Sequence, residues 1–209
     1  MDNLIEDWLS KHPRSDYQLI VAHTHAHSDH VAGDGQFSDR PRTSIVGKDV
    51  DSVCSAFQIT RWPNTVGYCD LGGRFLNVLA TPGHHPTAIS VYDAWTRFLL
   101  TGDTVYPGRL YVFDFPAFVD SLNRLVSFVK EKPAPHVMGS HIEMTMTPKK
   151  DYPAGTRYQP CEPRLQMSTK QLLAVRDAAT SVQSKPGAHV FDDFWIFNGP
   201  CYGAMAKQL

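Results

Sequence analysis

The chain has 209 residues, 42% of them hydrophobic, and a formal net charge of −1 at neutral pH. This length and composition are typical of one folded domain, residues 1–209, with a substantial core. The near-neutral charge and the lack of any basic run longer than Lys149-Lys150 argue against nucleic acid as a partner. No apolar run approaches the roughly 18 residues of a membrane span. The first residues lack the basic and apolar regions of a secretory signal, so a full-length chain is expected to be cytoplasmic.

The first elements in the chain are a helix and a strand. Asp2 or Asn3 is suited to cap a helix over residues 4–11. Residues 17–22 then form an apolar run rich in strand formers and too short for a helix. The pattern therefore predicts a buried strand that ends just before a cluster of polar residues.

That cluster is the hexapeptide His25-Ala26-His27-Ser28-Asp29-His30, which places four potential metal ligands within six residues. Imidazole is the commonest metal ligand near neutral pH, and a carboxylate accompanies it at catalytic zinc sites. Loops at strand ends are where a rigid scaffold can hold reactive groups. The hexapeptide therefore indicates a metal site, whereas His23 is expected to be a hydrogen-bonded core histidine.

Further along, three more apolar runs are each followed by potential ligands. Residues 75–80 lead into Thr81-Pro82-Gly83-His84-His85-Pro86, residues 97–100 into Thr101-Gly102-Asp103-Thr104, and residues 135–138 into Gly139-Ser140-His141. Proline or glycine near each ligand permits a sharp exit from the strand. Four such segments together indicate one shared site.

Strands and helices alternate between these segments. The pattern predicts a strand at 44–46, a helix over 49–57, a hairpin over 89–100 that delivers Asp103, and a helix over 118–129 whose apolar stripe is core. This alternation indicates a mixed α/β (α+β) fold.

After His141 the pattern changes. Residues 143–167 are rich in proline, have no sustained periodicity and predict a long loop, either an exposed connector or a substrate-facing lid. Ser168 and Gln171 form a capping box for a helix to about residue 182, and residues 189–197 predict one closing strand.

The order HAHSDH, TPGHH, TGDT and GSH resembles the metallo-β-lactamase superfamily of metal-dependent hydrolases over residues 17–141. The resemblance implies an αββα sandwich and a site for two metal ions. It implies that the first ion is held by His25, His27 and His84, the second by Asp29, His30 and His141, and that Asp103 bridges them. His85 is expected to be a neighbour of the site, and an exchange between His84 and His85 stays open.

Such a site has a definite chemistry. Two divalent ions about 3.5–4 Å apart can share a hydroxide, lower the pKa of its parent water and polarise a substrate oxygen. Asp29 is the predicted catalytic residue, because its second oxygen can orient the hydroxide or carry its proton. Zinc is favoured, with iron and manganese open. The predicted function is hydrolysis of an ester, thioester, lactone or amide bond in a small-molecule substrate.

The front of the chain departs from the family pattern. Only residues 1–16 precede the first predicted strand, where members of the family usually have several strands. A fragment of a longer product, a sheet completed by another chain and a shortened variant are three open explanations. Because an incomplete sheet exposes unpaired backbone groups, we expect a homodimer formed through this edge.

Within the family, the segment from Thr101 to Tyr106 followed by Arg109 is similar to the glyoxalase II and thioesterase-like branch, whereas the tail after His141 does not match the helical substrate domain of glyoxalase II. Two alternatives stay open. One is an oxidoreductase resembling the persulfide dioxygenases, with a single iron on His25, on His84 or His27, and on Asp103. The other is a non-catalytic, truncated member that acts as an assembly subunit.

Overall fold

A computed structural model describes residues 1–199, which form five α-helices and eleven strands. The helices are α1 (Asp2–Lys11), α2 (Ser28–Val31), α3 (Val50–Phe57), α4 (Phe115–Glu131) and α5 (Thr169–Val182). The strands are β1 (Leu19–Val21), β2 (Thr43–Ile45), β3 (Gly67–Asp70), β4 (Phe75–Ala80), β5 (Ile89–Asp93), β6 (Phe98–Gly102), β7 (Arg109–Val112), β8 (His136–Gly139), β9 (Gln166–Met167), β10 (Gly187–Val190) and β11 (Trp195–Asn198). No helix in this part of the chain is long and apolar enough to cross a membrane.

The largest sheet has six strands in the order β3-β4-β5-β6-β8-β9. Its strands run antiparallel to their neighbours except for β6 and β8, which are parallel and are joined through α4. A parallel pair needs such a crossover, because its two strands begin at the same end. The remaining strands form a two-stranded sheet, β1-β2, and a three-stranded sheet, β10-β11-β7.

Two hydrophobic cores lie on opposite faces of the six-stranded sheet. In β4, Leu79 joins the larger core with α4 and α5, whereas Val78 joins the smaller core with Val53 and Phe57 of α3. Successive side chains of a strand point to opposite faces. The sheet is therefore covered by α4 and α5 on one face and by α3 on the other.

Most of the predicted elements are present. The helix predicted over 118–129 lies within α4, and its stripe is core, since Phe118, Leu122 and Leu125 are fully buried. The capping box is also confirmed: Ser168 accepts from the Gln171 backbone N–H, and the Gln171 side chain accepts from the Ser168 N–H.

Other predictions were wrong or incomplete. Residues 189–197 do not form one strand, because β10 and β11 pair as an antiparallel hairpin. The N-cap of α1 is Met1, with no side-chain capping bond, rather than Asp2 or Asn3. Strands β3 and β7 were not predicted; both are only four residues long, which leaves little periodicity to detect.

The β1 edge is where the homodimer was predicted to form. Within the described residues β1 pairs with β2 alone, and Ile20 in its centre is 45% exposed. An apolar strand edge of this kind is a template for pairing. Association through it stays a prediction.

If that prediction holds, light scattering will give the mass of a dimer, and Ile20→Lys will shift the protein towards monomer because a charge is introduced into the paired edge. Val190→Lys is the matched control, since Val190 is similarly exposed on β10 of another sheet. A wild-type protein that stays monomeric at every concentration would contradict the prediction.

The turn between β5 and β6 is organised by Asp93. Its carboxylate accepts hydrogen bonds from the Arg74 side chain and from the backbone N–H groups of Trp95 and Thr96. The bond from Arg74 is the main cause that holds the pKa of the Asp93 carboxyl well below its ordinary value of 3.8. The turn sets the start of β6, the strand that ends beside Asp103.

We expect Asp93→Asn to lower the free energy of unfolding by about 1–3 kcal/mol near neutral pH, because charge-assisted hydrogen bonds are lost. The folded-state pKa lies below the unfolded value, so the contribution of Asp93 is complete above pH 3.8 and is lost as pH falls through the lower folded-state pKa. Denaturation of both proteins across this range is expected to show a difference that narrows in acid. A difference independent of pH would contradict this account.

Candidate metal centre

The seven predicted ligands all follow strands, either in the turns after them or in the short helix α2. His25 and His27 follow β1, Asp29 and His30 begin α2, His84 follows β4, Asp103 follows β6 and His141 follows β8. Three groups of these residues have potential ligand atoms within 4.8 Å of one another: His25, His27 and His84; His25, His30 and Asp103; and Asp29, His30 and His141. The structure therefore brings together every residue that the sequence predicted for the site.

The first group is a triad of imidazoles. His27 Nδ1 lies 2.9 Å from His25 Nε2 and 2.9 Å from His84 Nε2. One ring proton on His27 Nδ1 can serve only one of these two contacts, so hydrogen bonding does not account for the whole arrangement. Three nitrogens that converge in this way match the ligand set of a bound cation.

Asp103 connects this triad to the other ligands. Its Oδ2 lies 3.5 Å from His84 Nε2, 3.8 Å from His25 Nε2 and 3.3 Å from His141 Nε2. Its Oδ1 lies 3.4 Å from His30 Nε2. On the far side, Asp29 Oδ2 lies 3.5 Å from His30 Nε2 and 3.8 Å from His141 Nε2. Asp103 thus lies between the triad of His25, His27 and His84 and the second ligand group, which consists of Asp29, His30 and His141.

The two sides of the metal centre differ in how far their side chains are buried. His25, His84 and Asp103 are buried, whereas the Asp29 side chain is 59% exposed and that of His141 is 40% exposed. Burial lowers the pKa of His84 to about 4, and it lowers the pKa of His25 still further. Both imidazoles are therefore neutral at pH 7, which is the form that donates a lone pair to a metal.

Asp103 keeps its charge in this buried place. Burial alone would raise the pKa of its carboxyl, but its contacts with His141 and His30 outweigh burial and hold the pKa well below the ordinary value. Conversely, the contact with Asp103 raises the pKa of His141.

Two buried atoms at the centre, which lie 3.4 Å from each other, lack hydrogen-bond partners. In the described part of the chain, neither His30 Nε2 nor Asp103 Oδ1 has a hydrogen bond. Unsatisfied buried polar atoms are rare because each costs about 1–3 kcal/mol. Imidazole nitrogens and carboxylate oxygens are ligands for zinc and for iron or manganese. The residues present therefore fit a metal centre.

His84 is held by backbone contacts. Its Nδ1 lies 2.7 Å from the carbonyl oxygen of Tyr111. Since a carbonyl only accepts, Nδ1 carries the proton and Nε2 keeps its lone pair for the site. The preceding residue, Gly83, has φ +141°, and its carbonyl accepts from the N–H groups of Phe113 and Asp114.

Two further histidines lie close to the centre outside the three groups. His23 Nε2 bonds Asp34 Oδ1 at 2.7 Å, in agreement with the expected hydrogen-bonded role. His85 Nδ1 lies 2.9 Å from Thr87 Oγ1, and it is His84 that joins the triad.

A cavity of about 370 Å³ opens onto the centre. Besides five of the predicted ligands, its lining consists of Ser28, Tyr106, Tyr111, Phe113 and Glu143. Of the predicted loop 143–167, Glu143 alone among the described residues contributes to this lining. For the rest of that loop, an exposed connector and a substrate-facing lid both stay predictions.

Glu143 and Arg109 are tied to each other. Glu143 Oε2 accepts from the Arg109 backbone N–H at 2.6 Å, and its Oε1 lies 3.4 Å from Arg109 Nη1. Arg109 Nε also donates to Asp151 Oδ2 at 2.7 Å, and its Nη2 donates to the Tyr152 carbonyl. Burial raises the pKa of the Glu143 carboxyl, although Arg109 opposes that shift.

Sequence reasoning missed these cavity residues. Tyr106 is the last residue of the segment from Thr101 to Tyr106, which is similar to the glyoxalase II branch. Its buried ring packs edge-on to His141 at 5.5 Å between ring centroids. Glu143 follows His141 by two residues, the same spacing as His25 to His27, but one acidic residue at a loop start is too common a pattern to single out.

The residues 56–152 match the model of the metallo-beta-lactamase superfamily. This range contains His84, Asp103 and His141 and begins after the hexapeptide. This part of the chain is therefore similar to the superfamily that the order of the motifs predicted.

Two curated relatives are named hydroxyacylglutathione hydrolase, the enzyme also called glyoxalase II. The one from Pseudomonas savastanoi pv. phaseolicola is 33% identical over 130 residues, or 56% of this chain and 46% of that protein. The one from a Synechococcus strain is 33% identical over 113 residues, or 51% of this chain and 44% of that protein. The chain thus spans about half the length of these relatives.

Solved structures agree on the fold. The match to ETHE1 from Myxococcus xanthus spans 88% of this chain and 76% of the ETHE1 chain, with a TM-score of 0.52 and 19% sequence identity. The match to the sec-alkylsulfatase Pisa1 from a Pseudomonas species spans 88% of this chain and 36% of the Pisa1 chain, with a TM-score of 0.54 and 11% sequence identity. The predicted mixed α/β metallo-β-lactamase fold is confirmed.

Gly83 gives a test of how tightly the His84 loop is held. A Cβ at this position would lie 2.5 Å from Phe118 Cα, in a backbone conformation that L side chains rarely adopt. We expect Gly83→Ala to lower the free energy of unfolding by about 2–4 kcal/mol and to weaken metal binding through His84. Denaturant unfolding and metal titration measure the two effects.

Gly72→Ala is the control, because Gly72 also has positive φ (+87°) but nothing lies within 4 Å of its added Cβ. Gly72→Ala should lower the free energy of unfolding only by the backbone strain, which is about 1 kcal/mol. Equal costs at both positions would show that the contact with α4 does not matter.

Proposed function

We propose that this protein is a dinuclear metal-dependent hydrolase that cleaves an ester, thioester, lactone or amide bond in a small-molecule substrate. The observation that carries the proposal is the position of Asp103, whose two oxygens lie within 3.8 Å of nitrogens from both ligand groups. A carboxylate between two ligand groups is suited to bridge two ions, and the exposed side of the centre leaves room for water and substrate.

The proposed ligands divide as the sequence suggested. His25, His27 and His84 would hold the first ion; Asp29, His30 and His141 would hold the second; and Asp103 would contact both. When bound, divalent ions supply acidified water as a nucleophile and polarise the substrate carbonyl. Zinc is the favoured metal, because histidine and carboxylate together suit it at catalytic sites.

The chain's own residues supply orientation and proton transfer. Asp29 lines the cavity and is exposed, so one oxygen can contact the ligand group while the other accepts a proton from the attacking water. In the triad, His25 and His84 are buried, and His84 Nδ1 lies 2.7 Å from the Tyr111 carbonyl oxygen, so these two imidazoles can hold their geometry without rearrangement. Tyr106, Tyr111 and Phe113 supply an apolar wall that limits access of bulk water.

A thioester or related ester is the preferred substrate class. The proposal is supported by the two hydroxyacylglutathione hydrolases, which share about a third of their aligned residues with this chain. For a full-length chain, a cytoplasmic location is proposed with it.

Metal content is the first test. Elemental analysis of the purified, zinc-supplied protein is expected to give close to two divalent ions per chain. His84→Ala should deplete the first ion because the triad loses a nitrogen, whereas the adjacent His85→Ala should leave the content unchanged. Folded protein that takes up no metal would remove the basis of the proposal and favour the assembly subunit. One iron per chain with consumption of oxygen would favour the oxygenase alternative.

Activity is the second test. The zinc-loaded protein is expected to hydrolyse at least one member of a panel of thioesters, esters, lactones and β-lactams, and chelation should abolish this turnover. Asp29→Asn should lower kcat by about 10²–10⁴, because a positioned proton acceptor is lost. Asp39→Asn removes the same charge from an exposed site and serves as the control. Turnover restricted to phosphodiesters would contradict the proposal.

A further inference from the structure

The cavity beside the metal centre is acidic and aromatic. Apart from the metal ligands, Glu143 is the charged side chain in its described lining, and no lysine or arginine among residues 1–199 contributes to that lining. The Glu143 side chain is 26% exposed, so part of its carboxylate remains open.

The neighbouring arginine does not cancel this charge. Arg109 is 5% exposed and its guanidinium is shared between Glu143 and Asp151, with a further bond to the Tyr152 carbonyl. Two carboxylates around one guanidinium leave a net charge of about −1 for the group at neutral pH. Because Arg109 is buried behind Glu143 and occupied, a substrate anion in the cavity would meet the carboxylate rather than the guanidinium.

The aromatic lining acts in the same direction. Tyr106, Tyr111 and Phe113 line the cavity together with Glu143. The faces of aromatic rings attract cations, and binding sites for ammonium groups commonly combine such rings with a carboxylate. The part of the cavity that Glu143 and the three rings line therefore favours an organic cation and disfavours an anion.

We propose that Glu143 makes this centre selective for substrates with an ammonium or other cationic hydrogen-bond donor at the end remote from the reacting carbonyl, and unfavourable for substrates with a carboxylate there. This inference rests on the proposed hydrolase function, because it takes the cavity as the substrate site. It defines the substrate class by charge.

The test uses zinc-loaded protein and three hydroxamates of equal length whose tails end in ammonium, methyl or carboxylate. The three hydroxamates share one zinc-binding head, and any effect of the ions on the charged tail is the same in wild-type protein and in Glu143→Gln, so the change between these two proteins isolates Glu143. Calorimetry at low ionic strength is expected to give a dissociation constant about 5- to 10-fold lower for the ammonium tail than for the carboxylate tail, with methyl between them. Added salt should reduce the ratio, because it screens charges at a partly exposed site.

Glu143→Gln should bring the ammonium and carboxylate tails within about twofold of each other, since the amide keeps the bond to the Arg109 N–H but loses the charge. Glu131→Gln is the matched control: it removes the same charge at the end of α4, where Glu131 lines a separate groove, and it should retain the wild-type ratio. If Glu143→Gln loses zinc, the salt dependence of the wild-type ratio still decides the question.

Equal binding of the three tails by wild-type protein, tighter binding of the carboxylate tail, or an unchanged ratio in zinc-loaded Glu143→Gln would overturn the inference. These outcomes are distinct from failure of the proposed function. A protein that discriminates among the hydroxamates but hydrolyses nothing would keep the charge preference and lose the hydrolase, whereas a protein that binds no zinc would overturn both.

Discussion

The Asp103 carboxylate is a negative charge held in a buried position, and the rest of the site is arranged around it. Its ion-pair contacts within the described residues are all to histidines, and two of these, His25 and His84, are neutral at pH 7. Neutral imidazoles cannot compensate a carboxylate, and an uncompensated buried charge is strongly unfavourable. The balance of charge therefore requires positive charge beside Asp103, which a protonated His141 or a bound cation can supply.

The fold meets this requirement by bringing several strand ends to one place. The loop after β1 lies so close to the end of β6 that a Cβ on Gly102, which has φ +51°, would lie 2.6 Å from Thr24 Cβ. The parallel pairing of β6 and β8 places Gly139 beside Gly102, and the backbone N–H of Ser140 bonds the Gly102 carbonyl. Asp103 and His141 thus leave neighbouring strands side by side, next to the hexapeptide.

Much of this could be predicted from the sequence because the informative residues are of rare types at fixed spacing. Histidines and aspartates that each follow a short apolar run are seldom explained by packing, so the four segments could be singled out before any geometry was known. The resemblance to the metallo-β-lactamase superfamily then implied the seven ligand positions. Helices α4 and α5 could also be predicted from the sequence, since a long apolar stripe and a capping box are local signals. What could not be predicted depends on contacts between distant residues. β7 is four residues long and pairs with β11 more than 80 residues later, and the cavity role of Glu143 depends on its bonds to Arg109.

The connection from β6 to β8 through α4 has a consequence for biosynthesis. His25, His27 and His84 are all contained in the first 84 residues, whereas His141 follows the crossover helix that covers the sheet. Proteins are made from the N-terminus at about 5–20 residues per second, and domains begin to organise as the chain emerges. The imidazole triad is therefore synthesised seconds before the last ligand, and β8 cannot pair with β6 until α4 has left the ribosome and folded back. A chain stalled after Asp103 but before His141 has the triad and the Asp103 carboxylate but lacks His141, so its centre is open on the side where the second ligand group belongs.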